Sequence, residues 1–210
     1  MIRSEEDYRF YLEADRIALD VKLKRPRLFQ DEIWKFQRLL RKVEYMENCK
    51  KNRLDKIGLL RARFNLQRLS VDLGFTIPRN VFGPGLSIAH RGSIVVAPVV
   101  KVGENCRIHQ CVTIGTIPSV SALRAPGRVP SVAPTIGNNV FIGPGAVIVG
   151  CIEIADGIAI GANSYVAKSF REPNITVAGC PAKKVSDKGS EYLWPRATEI
   201  LRARSANITL

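Results

Sequence analysis

Histidine is nearly missing from this chain: His90 and His109 are the two among 210 residues. A catalytic zinc takes about three protein ligands, so a histidine-only metal centre cannot be built within one copy, and no metal is expected. Long apolar runs are missing as well. None reaches the roughly 18 residues of a membrane span. The opening stretch MIRSEEDYRF has mixed charge and no apolar leader core, so a cytoplasmic protein without a membrane partner is expected. The five cysteines are odd in number and form no paired C-x-x-C set. In a reducing cytosol they read as thiols and not as a disulfide framework. Carboxylates are scarce, 19 Asp and Glu against 32 Lys and Arg, for a net charge of +13. The excess gathers between Lys50 and Arg68, where seven basic residues meet one acidic, Asp55. Such a run either solvates a helix face or meets an anionic partner. No nucleic-acid motif accompanies it, so nucleic acid is not expected as the partner.

What is present divides into two rhythms. Up to about residue 74 the pattern is helical. Ser4 with Asp7 three residues on approximates a capping box. Ile33, Phe36, Leu39, Leu40 and Val43 recur at spacings of three and four, and Gly74 supplies a stop. About three helices are expected, with a Pro26-containing link inside them.

From residue 76 the period becomes six. Ile136, Ile142, Ile148, Ile154, Ile160 and Val166 fall on one frame, and Val96, Val102, Ile108 and Ile114 fit it upstream, preceded by Thr76, Phe82 and Ile88. The residue after each aliphatic is small in five of the six rungs from Ile136, and four places on lie Val140, Ala146, Ile152, Ile158, Ser164 and Phe170. A helix would scatter such a period around its surface, and an ordinary amphipathic strand would show a period of two. A fixed period of six is the mark of a β-solenoid. The aliphatic residue is expected inside, the small one at a bend. Three rungs then make one turn, so the chain stacks on itself every 18 residues. In this frame Cys106 is a small core residue.

The frame breaks twice. Ile88 and Val96 are eight residues apart, with two extra residues beside His90. Ile114 and Ile136 are 22 apart, and residues 116–135 must leave the stack as a loop carrying Arg124 and Arg128. Long loops in compact domains are usually functional. A neutral imidazole at the first break suits the removal of a proton from an attacking hydroxyl. His109, directly after a rung aliphatic, is expected to face outward, toward substrate, a neighbouring subunit or solvent.

The segments GLSIAHRGSIVV, VGENCRIHQCVTIG, PTIGNNVFIGPGAVIVGCIEIADGIAIGANSYVAKSF and VAGCPAKKV together resemble the serine O-acetyltransferases of the hexapeptide-repeat acyltransferase family. The resemblance implies a mainly β fold: a left-handed parallel β-helix over 75–186 with the extruded loop 116–135, an N-terminal α-helical domain over 1–74, and a C-terminal tail over 187–210. It implies acetyl-CoA as cosubstrate, and a homotrimer or dimer of trimers with acetyl-CoA between neighbouring prisms. His90 maps onto the catalytic base. Gly143, Gly145, Gly161 and Ala162 map onto the pantetheine path, and Lys183 and Lys184 lie where nucleotide phosphates are expected. Three departures stand out. Ala89 replaces an Asp before the catalytic His, Phe75-Thr76-Ile77-Pro78 replaces Asp-x-His-Pro, and Val132-Ala133-Pro134 replaces Arg-His-Pro. Arg91, His109, Arg124 and Arg128 are the remaining acceptor-binding candidates, and the acceptor stays open between serine and a sugar or polysaccharide precursor.

Other classes carry distinguishing marks. An N-acetyltransferase would prefer an amino sugar. A zinc hydratase on the same scaffold would have to borrow a histidine across an interface. A non-catalytic module would use the basic helix on nucleic acid or a partner enzyme, and the N-terminal helices are candidates for joining trimers or docking that enzyme. Within the tail, EYLWPRATEILRAR has the composition of a short helix.

Overall fold

The computed structural model describes residues 1–50, 52–116 and 133–208. Three helices come first: α1 (Glu5–Ala18), α2 (Glu32–Cys49) and α3 (Arg53–Leu73). Ser4 caps α1, its hydroxyl accepting from the Asp7 amide at 3.0 Å. Gly74 closes α3 with φ +79°, a left-handed turn that glycine makes without Cβ strain.

Short strands follow: β1 (Phe75–Thr76), β2 (Ser87–Ile88), β3 (Ile94–Val96), β4 (Lys101–Val102), β5 (Arg107–Ile108), β6 (Thr113–Gly115), β7 (Thr135–Ile136), β8 (Phe141–Ile142), β9 (Val147–Val149), β10 (Glu153–Ile154), β11 (Ala159–Ile160), β12 (Tyr165–Val166), β13 (Thr176–Gly179) and β14 (Ala182–Ser186). They form three sheets, ordered β1-β3-β6-β9-β12, β4-β7-β10 and β2-β5-β8-β11-β13-β14. From β3 to β12 the chain visits the three in strict rotation. Every pairing is parallel except the closing hairpin β13–β14. Ile142 pairs with Ile160 eighteen residues on, as a six-residue rung on three sheets requires. Ile88 pairs with Ile108 across twenty, so the two extra residues by His90 bulge out of the ladder. Ile108 pairs with Ile142 across thirty-four, sixteen more than one turn, inserted between β6 and β7; Thr135, placed in the expected loop, belongs to β7.

The frame aliphatics from Phe82 to Val166 are buried, and so are Val140, Ala146, Ile152, Ile158, Ser164 and Phe170. Cys106 lies among them, and burial pushes its thiol up to about 12; it is an inert core residue. At the start the frame slips. Thr76 points outward, while Phe75 and Ile77 are buried on either side of it. The small residue after each aliphatic also has a different job from the bend expected of it. Gly143 has ordinary φ, and a Cβ there would sit 2.8 Å from the Ile160 carbonyl oxygen and the Ala162 nitrogen. It is small because the chain passes directly over it one full turn later. The left-handed bends fall two residues later instead, at Gly145 (φ +71°) and Asn163 (φ 54°).

The helices close the lower edge of the stack. Arg41 is fully buried and donates to Asp15 at 2.8 Å, Glu44 at 3.0 Å, and the carbonyls of Phe82 and Gly83 at 2.9 and 2.7 Å. Asp15 accepts from the amides of Gly85 and Leu86, both at 2.9 Å. Gln37 donates to the Leu86 carbonyl at 2.7 Å and accepts from the Ile88 amide at 3.1 Å. Burial opposes the charge on Arg41, yet the pull of Asp15 and Glu44 holds its pKa above the ordinary value.

The tail does not become a helix across Glu191–Arg196. Pro195 lies just before α4 (Ala197–Ile208) begins, consistent with the preference of proline for the start of a helix over its interior. Before α4 the tail runs back along the third sheet. Ser190 donates to the Asn139 carbonyl, Trp194 lies on the Arg107 guanidinium at 3.3 Å, and Asn105 and Thr198 exchange two hydrogen bonds. No helix among the described residues is long and apolar enough to cross a membrane.

Two substitutions test this architecture by denaturant unfolding. Ile142→Ala leaves a cavity in the aliphatic column and should cost about 2–5 kcal/mol. Arg41→Ala strands two buried carboxylates and should cost about 3–5 kcal/mol.

Candidate active site

The two histidines, 19 residues apart in sequence, meet. His90 is exposed in the bulge after β2, and its ring lies 5.8 Å from that of His109, centroid to centroid. His109 follows β5, packs 5.0 Å from the Phe141 ring, and is half-buried. It lies on the outer side of the stack, where the outward-facing Phe141, one strand up, partly covers it. Burial lowers its pKa, and the neighbouring Arg107 and His90 lower it further, so it is neutral near pH 7. Among the described residues its Nε2 is buried without a hydrogen-bond partner, as is Oε1 of the adjacent Gln110. Unsatisfied buried polar atoms are rare in native interiors, and strain, a catalytic role, or a bound water or ion are the usual reasons for one; the indole nitrogens of Trp34 and Trp194 are in the same condition.

Above the histidines the register builds a column. Ile108, Ile142, Ile160 and Val177 are paired in sequence, so the residues after them, His109, Gly143, Gly161 and Ala178, stack along one edge of the third sheet. Lys183 pairs with Ala178 across the closing hairpin. At about 4.8 Å per strand the column from His109 to Lys183 is about 19 Å long. It is narrow-sided because Gly143 and Gly161 carry no side chain.

The predicted site residues sort accordingly. His90, His109, Gly143, Gly145, Gly161, Ala162 and Lys183 lie at this edge or at its top. The amides of Gly143, Gly145 and Gly161 are not free: they donate to Ile160, Gln110 and Val177 at 2.8, 3.0 and 2.8 Å. Among the described residues Ala162 is the one of the four whose amide stays outside the ladder. Lys183 and Lys184 are both exposed, and Lys184 is held by Glu172 and Asp187, each at 2.6 Å. Arg91 is tied to Glu32 of α2 at 2.7 Å. Arg124 and Arg128 lie outside the described residues. No cluster of three His, Cys, Asp or Glu side chains suited to a metal occurs among the described residues.

Sequence reasoning missed Phe141, Gln110, Arg107 and Trp194. Gln110 stands beside His109 in the same rung and could have been found by adjacency. Phe141 and Arg107 occupy the outward position before a rung aliphatic, and their role appears once the eighteen-residue stacking is applied to outward as well as inward positions. Arg107 lies under Trp194 and donates to Ser87 at 2.7 Å. Burial brings its guanidinium down to about 10. Trp194 comes from the tail, and no local pattern links it to residue 107.

The comparisons with known proteins agree with this geometry. Residues 133–168 match the family model described as Bacterial transferase hexapeptide (six repeats). The particular likeness is to serine acetyltransferases. That of Synechococcus elongatus is 34% identical over 107 residues, covering 51% of this chain and 40% of the relative. The crystal structure of serine acetyltransferase from Brucella abortus superposes with TM-score 0.64 at 25% identity, covering 89% of this chain and 72% of that one. A second Brucella abortus structure, in complex with coenzyme A, gives TM-score 0.58 at 26% identity over 88% of this chain and 68% of that one. The chain spans about half the length of the curated relatives it matches.

The lowered pKa of His109 gives a test. Its imidazole should titrate below the ordinary 6.5 in a histidine NMR titration. The unfolded chain then binds the extra proton first, so stability from this group is complete above pH 6.5 and falls as pH drops below it. His109→Phe should flatten that part of the stability profile.

Proposed function

We propose that this chain is an acetyl-CoA-dependent O-acetyltransferase of the serine acetyltransferase type. The single observation that carries it is the edge column: an exposed imidazole and an unsatisfied, neutral one at its foot, glycines along it, and a lysine about 19 Å away at its top. Acetyl-CoA, when bound, supplies an activated acetyl group and carries phosphates at the end remote from it. The column fits that shape, with Lys183 as a point charge for phosphate and Ala162 as the available amide. A serine acetyltransferase of similar fold from Brucella abortus is solved in complex with coenzyme A, which supports coenzyme A as the ligand class.

The scaffold in this reading is a left-handed parallel β-helix over 75–186, with the helices of 1–74 below it and the tail of 187–210 along its side. His90 accepts the proton of the acceptor hydroxyl as the oxygen attacks the thioester carbonyl, and general base catalysis of this kind contributes about 10²–10⁴-fold. His109 acts as a neutral hydrogen-bonding partner beside it. The reacting copies form a trimer. The outward residues of the first sheet, Thr76, Val95, Thr113, Val147 and Tyr165, are in register and uncharged. The second sheet presents Lys101 and Glu153 in its outward row, and the tail covers part of the third. A neighbour seated on the first sheet would wall in the histidine edge, which lies at the turn from the third sheet to the first.

One observation favours an acceptor other than serine. Ala89 leaves no carboxylate beside His90, and Arg91 is already paired with Glu32. A sugar or polysaccharide-precursor hydroxyl needs no carboxylate-binding cation.

The test is free-thiol release from acetyl-CoA, assayed with serine, homoserine and a panel of sugars. His90→Ala should lower turnover by about 10²–10⁴ while equilibrium binding of coenzyme A persists. Near-native turnover in that variant overturns the role of His90. No thiol release with any acceptor overturns the activity.

A further inference from the structure

Helix α3 is apolar on two opposite faces. Leu59, Ala62, Leu66, Leu69 and Leu73 face inward, and each is buried or packed on the core. Ile57, Leu60, Phe64 and Val71 lie on the other side and are 71%, 70%, 68% and 71% exposed. The two stripes are offset by two residues, or about 160° around the helix. A helix that is apolar on both sides is normally covered on both. The outer stripe, with Gln67 completing it, keeps spacings of 3, 4, 3 and 4 over about 21 Å. Leu60, Phe64 and Gln67 also wall a groove of about 460 Å³ closed by Ile77 and Arg79.

We propose that this face binds an amphipathic helix of a partner protein, with a matching apolar seam and acidic flanks. The spacing is the narrow seam of a helix pair, and lipid would call for a broader apolar arc without a central glutamine. The positions bordering the seam are Lys56, Arg61, Arg63 and Arg68. Arg63 is partly neutralised by Glu47 at 2.7 Å, and the others leave the flanks cationic. A second copy of α3 laid on this seam would set arginine against arginine, whichever way it ran. A partner with Glu or Asp on its flanks gains complementary pairs instead. The inference is independent of the acetyl-transfer site.

The test uses two synthetic 21-residue helical peptides with Leu at the seam positions, one flanked by Glu and one by Lys. Binding to the full chain is read by fluorescence anisotropy at low and high salt. The Glu peptide should bind at least tenfold tighter than the Lys peptide, and less tightly as salt rises. Phe64→Glu should abolish binding without changing the circular dichroism spectrum or sedimentation mass. Arg61→Glu with Arg68→Glu should reverse the preference toward the Lys peptide. Equal binding or none, a fall in native mass in Phe64→Glu (a self-interface), or Phe64-dependent binding to phosphatidylglycerol vesicles without peptide binding (a lipid face) would each overturn the proposal.

Discussion

A stack of parallel strands is stable only where every rung has a rung on either side, so the constraint on which this molecule depends is how its first rung finds partners. The helices supply them. Arg41, Asp15 and Gln37 together satisfy the carbonyls of Phe82, Gly83 and Leu86 and the amides of Gly85, Leu86 and Ile88. Each of these backbone groups would otherwise be buried without a partner. Four of these six contacts involve a charged side chain, Arg41 or Asp15, each buried. The helical segment is thereby fixed in register to the strands, and everything above inherits that register.

From that base the site follows by counting. The ladder places His109 under Gly143 across thirty-four residues and Gly143 under Gly161 across eighteen, so the candidate site runs along a line and not around a pocket. The two-residue bulge at His90 removes one imidazole from the ladder and sets it against the other. The two imidazoles thus meet at an interruption in an otherwise periodic scaffold. The regular part needs only hydrophobic burial and main-chain pairing, and residues such as Phe141 and Arg107 add walls on its outside.

Much of the fold was legible because the six-residue period is long and its inward residues are nearly all β-branched aliphatics. The helix start at Ser4 and stop at Gly74 were legible because capping is local chemistry. The bulge at His90 was visible as a frame shift of two. Where the period thins out, the reading slipped: Thr76 belongs to the frame by number but points outward, since the chain is still entering the stack. The engaged amides of Gly143, Gly145 and Gly161 were hidden because spacing gives position and not hydrogen-bond partners. Trp194 on Arg107 and Arg91 on Glu32 were hidden because they join parts of the chain 87 and 59 residues apart. The small residue after each aliphatic was seen correctly and explained wrongly, since its cause is the rung above it.

The closing hairpin has a consequence for the molecule as a material. A repeating parallel ladder with a bare end is a template on which further chains can polymerise into fibres. Here the lower end is plugged by helices. At the upper end of the third sheet β14 reverses direction and presents Lys183, so on that sheet an incoming strand meets an antiparallel edge and a positive charge. The repeat that makes this sequence easy to extend is thereby held to a finite length.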